Sequence, residues 1–156
     1  MKVVEAPFKA SVTTLLVNST TAPEFVDITD RVETFLEATG VKHGSVNVFS
    51  RHTTAAITIQ ENEPLLLNDM ASLLERLAPR GIRYGHNDFS IRTVHMHEEE
   101  CPNGHSHCQH LTLGSSETIP VVDGILALGR WQRIFMVELD DGKLGPREVL
   151  LQSLGV

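Results

Sequence analysis

The chain reads as one α+β domain spanning residues 1–156, an antiparallel or mixed, sandwich-like sheet layer with two main helices packed against it. Three observations carry this expectation. Short alternating apolar runs with strand period outnumber helical segments. Only two stretches hold apolar residues at helical spacing. The run Ile134-Phe135-Met136-Val137 is apolar at consecutive positions, the mark of a strand covered on both faces. In so small a chain a subunit interface is one way to provide such cover, which motivates an oligomer.

In chain order, Phe8 to Val17 is rich in threonine and valine and is expected to be a strand, followed by turn composition over Asn18 to Pro23. Thr29 or Asp30 is placed to cap a short helix carrying Val32, Phe35 and Leu36, with Gly40 as its stop. Gly44 to Ser50 and Ala55 to Gln60 both alternate, and the short polar link between them suggests a hairpin or adjacent pair. Pro64 suits the first position of a helix, and Leu66, Met70, Leu73, Leu74 and Leu77 follow at helical spacing until Pro79 and Gly81. Gly81 to Gly104 is a long connection rich in charge and histidine, uncommon in a small domain unless it is used. Five β-like runs close the chain, at Gln109–Leu113, Thr118–Val122, Ile125–Leu128, Arg133–Leu139 and Glu148–Leu154. Asp123-Gly124 and Asp141-Gly142 are turn dipeptides among them.

Composition narrows the function. A hydrophobic content of 41% with 21% charged residues is that of a globular protein. The net charge of −7 speaks against a general nucleic-acid binder, which gains affinity by neutralising phosphates, but leaves room for a local basic pocket. No apolar run is long enough to span a membrane, and MKVVEAPFKA lacks a signal-peptide core, so the expected location is cytoplasmic. Cys101 and Cys108 are then expected as reduced thiols.

The chemistry-bearing residues gather late. His95, His97, Cys101, His105, His107, Cys108 and His110 lie within sixteen positions, and imidazole and thiolate are the ligands of zinc and similar metals. On an extended chain the pairs His95/His97 and His105/His107 would each point to one side. The spacing fits no zinc finger and no metalloprotease helix, and a solvated loop around Glu98-Glu99-Glu100 is the plainer alternative. His52, with Thr53 and Thr54, occupies a connector between two strands, where functional groups are commonly displayed. Glu61, Asn62 and Glu63 crowd a helix start, where capping is the simpler role. Gly114-Ser115-Ser116 would let backbone amides approach an anion, though it is no P-loop. Arg130, Gln132 and Arg133 flank Trp131, and an arginine there could grip phosphate.

Taken together, several segments resemble the YjbQ family. They are His52-Thr53-Thr54-Ala55, Ile59-Gln60-Glu61-Asn62-Glu63-Pro64, Tyr84-Gly85-His86, Asn103-Gly104-His105-Ser106-His107 and Leu113-Gly114-Ser115-Ser116. Pro120 with Gly124, Leu128-Gly129-Arg130-Trp131-Gln132 and Gly145-Pro146-Arg147 complete an ordered set covering about residues 8 to 155. The resemblance implies a small α+β fold assembled as a homotrimer, with His, Glu and Asn residues near a subunit boundary. It also implies similarity to proteins credited with a secondary thiamine-phosphate synthase activity, which joins a pyrimidine diphosphate to a thiazole phosphate and releases pyrophosphate. Matched by motif, His52, Glu61 and Asn62 are the implied catalytic residues. His86 and His107 are the implied metal ligands, with His105 a further candidate. Thr53, Thr54, Ser115, Ser116, Arg130, Gln132 and Arg147 are the candidate phosphate contacts, read from their hydroxyl, amide and guanidinium groups rather than carried over from the family. The chain departs from the family pattern at Arg130 and Arg133, lacks a second arginine after Arg147 (Val149 stands there), and carries a divergent stretch from His95 to Cys101.

The sequence therefore points to an enzyme of small phosphorylated metabolites, with a His-ligated divalent metal (zinc or similar, magnesium as a variant), no nucleic-acid partner and no membrane. A non-catalytic metal- or metabolite-binding trimer is the rival, because histidines suit zinc-like metals better than the magnesium that usually accompanies a diphosphate.

Overall fold

The computed structural model describes residues 6–156; Met1 to Glu5, half of the segment read for a leader, lie outside it. Eight strands and three α-helices follow one another: β1 (Lys9–Val17), β2 (Glu24–Asp27), α1 (Thr29–Thr39), β3 (Gly44–Ser50), β4 (Ala55–Gln60), α2 (Pro64–Leu77), α3 (Gly104–Leu113), β5 (Ser116–Val122), β6 (Ile125–Leu126), β7 (Arg133–Glu138) and β8 (Arg147–Gly155). Two antiparallel sheets result, one of five strands in the order β1-β8-β3-β5-β6 and one of three in the order β2-β7-β4. No described helix is long and apolar enough to cross a membrane.

The three-stranded sheet is the middle layer. Ile134 and Met136 of β7, with Ala55 and Ile57 of β4, face a core shared with the five-stranded sheet and α1. Phe135 and Val137, with Ala56, face the opposite way onto a second core holding Leu74 of α2 and the flanking Leu113 of α3. This accounts for the continuous apolar run in β7. Its cover comes from within the protomer, so that run does not itself call for a subunit interface.

Four expectations are corrected. The segments β3 and β4 are not a hairpin: β3 pairs with β5 and β8, whereas β4 pairs with β7 in the other sheet. The link Arg51–Thr54 thus carries the chain across the core from one sheet to the other. Residues 109–113 end a third helix instead of forming a strand, so the described α-helices number three. Because that segment is helical, His105 and His107 do not share a side; His105 is 2% exposed and faces the interior. The α1 start is also set differently. Asp27, two residues ahead, accepts from the Thr29 N–H (3.0 Å) and hydroxyl (2.7 Å). Gly40, at φ 65°, closes the helix in the left-handed conformation glycine adopts freely.

Candidate functional site

The crossing link and the start of α3 face each other, and two contiguous hollows lie between them. The smaller, about 280 Å³, is lined by Arg51, His52, Thr53, Thr54, Asn103, His107, Lys143 and Arg147. The larger, about 450 Å³, shares Thr53, Asn103, His107 and Lys143 with it and adds residues of the 86–100 region, including His86.

Arg147, at the start of β8, is held rigidly. Its Nε and Nη2 donate to Glu138 at 2.7 and 2.6 Å, and Nη2 also reaches the Thr54 hydroxyl at 3.4 Å. Glu138 is fully buried and also accepts from the Ser19 hydroxyl and the Leu139 and Asp140 amides. The pair neutralises itself, so Arg147 offers oriented N–H donors more than net charge. Lys143 has no carboxylate within ion-pair distance among the described residues, and it supplies the unpaired charge.

His52 accepts the Glu148 N–H at Nε2, 2.8 Å away. That bond requires the neutral ring to carry its proton on Nδ1, so the ring's remaining hydrogen-bonding atom is a donor. Burial, and then the Arg147 charge, hold its pKa below the usual histidine value. His107 is likewise depressed, by burial and then by His86. The His86 and His107 rings meet edge to face with centroids 4.7 Å apart.

Two imidazoles side by side are fewer ligands than a protein metal site usually supplies. Among the described residues no group of three or more His, Cys, Asp or Glu is arranged to hold an ion. His105 does not complete the set, since it is buried beside Ser106, its Nε2 3.2 Å from that hydroxyl. Cys101 is half-buried, and Cys108 is exposed.

Other expected site residues fall elsewhere. Ser115 is close to His52, lining a shallow depression with Phe49, Ser50, Arg51 and Thr53, and it contacts His110 Nε2 at 3.2 Å. Ser116 opens β5 and is exposed. Glu61 and Asn62 follow the far end of β4, so at about 3.3 Å per residue roughly 17 Å of strand separates them from the His52 link. Asn62 donates to Asp27 there, and Asp27 also takes the Arg133 Nε at 2.7 Å. Arg133 is further tied to Asp30 and is spent on structure. Glu63 caps α2, accepting from Leu65 and Leu66 N–H. Arg130 stacks on exposed Trp131, while Gln132 Oε1 closes its own turn on Gly129 N–H. Within one protomer His52 therefore does not meet Glu61, Asn62, Arg130 or Gln132.

Asn103 belongs to the site and was not singled out from sequence. It is 3% exposed, donates Nδ2 to Asp140 at 2.7 Å, and leaves Oδ1 without a partner. Buried acceptors are nearly always satisfied. Its signal was its place in the Asn103-to-His107 motif. Lys143, beyond the Asp141-Gly142 turn, had none.

The family model described as "UPF0047 protein YjbQ-like" matches residues 13–156. A UPF0047 protein of Methanothermobacter thermautotrophicus is 44% identical over 124 residues, covering 80% of this chain and 76% of its own. The protein YugU of Bacillus subtilis is 36% identical, covering 86% and 90%. Among solved structures, a protein of unknown function from Sulfolobus solfataricus superposes with a TM-score of 0.85 at 32% identity, over 96% of this chain and 100% of that one. A family member from Clostridium acetobutylicum gives 0.78 at 30% identity, over 90% and 98%. On sequence and on fold alike, the chain belongs to the YjbQ/UPF0047 family.

Proposed function

We propose that the protein is an enzyme of small phosphorylated metabolites, with thiamine-phosphate synthase-type transfer as the first reaction to test. One observation carries the reading: Arg147, Lys143, His52, Thr53, Thr54 and His107 converge on one hollow, all able to donate to phosphate oxygens. The rigid Arg147 and the Nδ1–H of His52 would stabilise charge developing on a departing pyrophosphate, as preorganised donors do. When no ion is bound, His107, held toward its neutral form by burial, is a candidate proton acceptor. His86 and His107 are the pair that would hold a divalent ion, leaving most of its shell to ligand and water; bound there, it would add electrostatic neutralisation of phosphate. The homotrimer stands as part of this proposal, since Glu61 and Asn62 could approach a hollow only from a neighbouring subunit.

The test is direct. The purified chain, supplied with the pyrimidine diphosphate, the thiazole phosphate and a divalent metal, should release pyrophosphate. The rival reading, a metabolite-binding protein without catalysis, draws support from a smaller hollow whose lining, among the described residues, is basic and polar with no carboxylate. Anion binding by calorimetry without turnover of any precursor pair would favour it.

A further inference from the structure

The larger hollow has a wall that neither the family pattern nor the proposed reaction uses. It is built by the divergent stretch ahead of α3. Arg92 and Glu100, only 14% and 7% exposed in their side chains, form an ion pair at 3.1 Å that closes the stretch into a loop. The same two side chains also fix its backbone. Arg92 Nη2 donates to the His95 carbonyl at 2.9 Å, and Glu100 Oε1 accepts the His97 N–H at 3.2 Å. His95 is held at φ 53°, a left-handed conformation uncommon for a residue other than glycine. Such a backbone persists where its surroundings over-determine it, and such positions cluster at functional sites.

The loop directs two imidazoles at the hollow. His95, His97 and Lys143 line it together with His86 and His107, and its one carboxylate, Glu100, is already spent on Arg92. Glu98 and Glu99 belong to the loop but do not line the hollow. In a chain with 20 acidic and 13 basic residues, a wall with no unpaired carboxylate is a departure from the rest of the surface. Lys143 and His107 line both hollows, so the two are neighbouring parts of one groove.

We propose that His95, His97 and Lys143 form a second anion subsite, so that the groove takes two separate anionic groups at once. The inference rests on the phosphate reading of the smaller hollow, where Arg147, Thr53 and Thr54 take the first group. The Arg92–Glu100 clamp is then the device that holds the second subsite at a fixed distance from the first. Two tethered anions would bind with the advantage of an intramolecular second contact, commonly 10²- to 10⁴-fold when the spacing matches.

Calorimetric titration of the full chain at neutral pH compares inorganic phosphate with propane-1,3-diyl bisphosphate. The bisphosphate is expected to bind at least about 30-fold tighter, well beyond the twofold statistical factor for two identical ends. In the double variant His95→Gly, His97→Ala, which keeps a residue suited to the left-handed position, that advantage should vanish. Affinity of the smaller hollow for inorganic phosphate, which His95 and His97 do not line, should stay within about twofold. Both residues are exposed, so the fold should survive, and circular dichroism checks this. Equal affinity for the two probes, or an advantage that survives in the double variant, overturns the second subsite while leaving the first intact. Failure of both probes to bind the unmutated chain removes the phosphate reading and the second subsite with it.

Discussion

His52 shows how one hydrogen bond reassigns a role. The family resemblance marked His52 as catalytic, but its Nε2 is occupied by the Glu148 N–H, so in the proposed reaction the neutral ring has only its Nδ1–H to offer. His52→Ala should therefore reduce turnover of the true substrate on the order of 10²–10³, the loss typical of one preorganised donor. It should cost only about 1–3 kcal/mol of stability, from the amide left unpaired. A folded variant with unchanged turnover would take His52 out of the mechanism. Titration supplies a second prediction. His52, His105, His107 and His110 all have pKa values depressed, by burial first in each case. Unfolded, they titrate near about 6.5. Below that pH the unfolded chain binds more protons than the folded one, so stability is fully present above it and is lost as pH falls through the lower folded values. The melting temperature should drop between pH 7.5 and 5.5; a flat profile would mean these rings are not neutral in the fold.

At the scale of elements, alternation revealed strands but not their partners. The pattern of β3 and β4 says which side chains face inward, and both do face one core, yet from opposite sheets. Nothing in the polar link Arg51–Thr54 announces that crossing. The third helix was hidden for a different reason. Its buried residues include His105, Ser106 and Gln109, so the face it turns inward is polar and carries no apolar periodicity to read. By contrast, α2 was legible because Pro64 opens it and leucines recur along it. The link between β7 and β8 is a buried pair, and removing one partner of such a pair commonly costs 3–5 kcal/mol. Arg147→Met should thus destabilise the protein by about that amount, and adding Glu138→Gln should restore much of it. Denaturant titration of both variants checks this; equal stability of the single variant and the parent would show the pair to be idle.

For the whole molecule, the two-sided cover of β7 turned out to be internal, which moves the case for assembly to another surface. The five-stranded sheet turns Val12, Leu16, Phe49 and Leu154 outward, from 37% to 58% exposed, on a face that no described helix covers. Sedimentation should give a species of about three times 17.2 kDa; a stable monomer at micromolar concentration would contradict the trimer. The family and the α+β class were readable from ordered short motifs spread along nearly the whole chain. The site was readable only in part, because motifs mark residues without saying which of them meet. His52, His107 and Arg147 line one hollow and His86 lies against His107, while Glu61 and Asn62 stay at the other end of the middle sheet.

The central claim is that this convergence handles phosphorylated metabolites chemically. Pyrophosphate release, measured with the full chain, both thiamine precursors and a divalent metal, addresses it most directly. Release matched one-to-one by the joined product, and inhibited by added inorganic pyrophosphate competing for the Arg147 hollow, is the predicted result. No release with any divalent metal, from a folded protein that still binds the precursors, would contradict it.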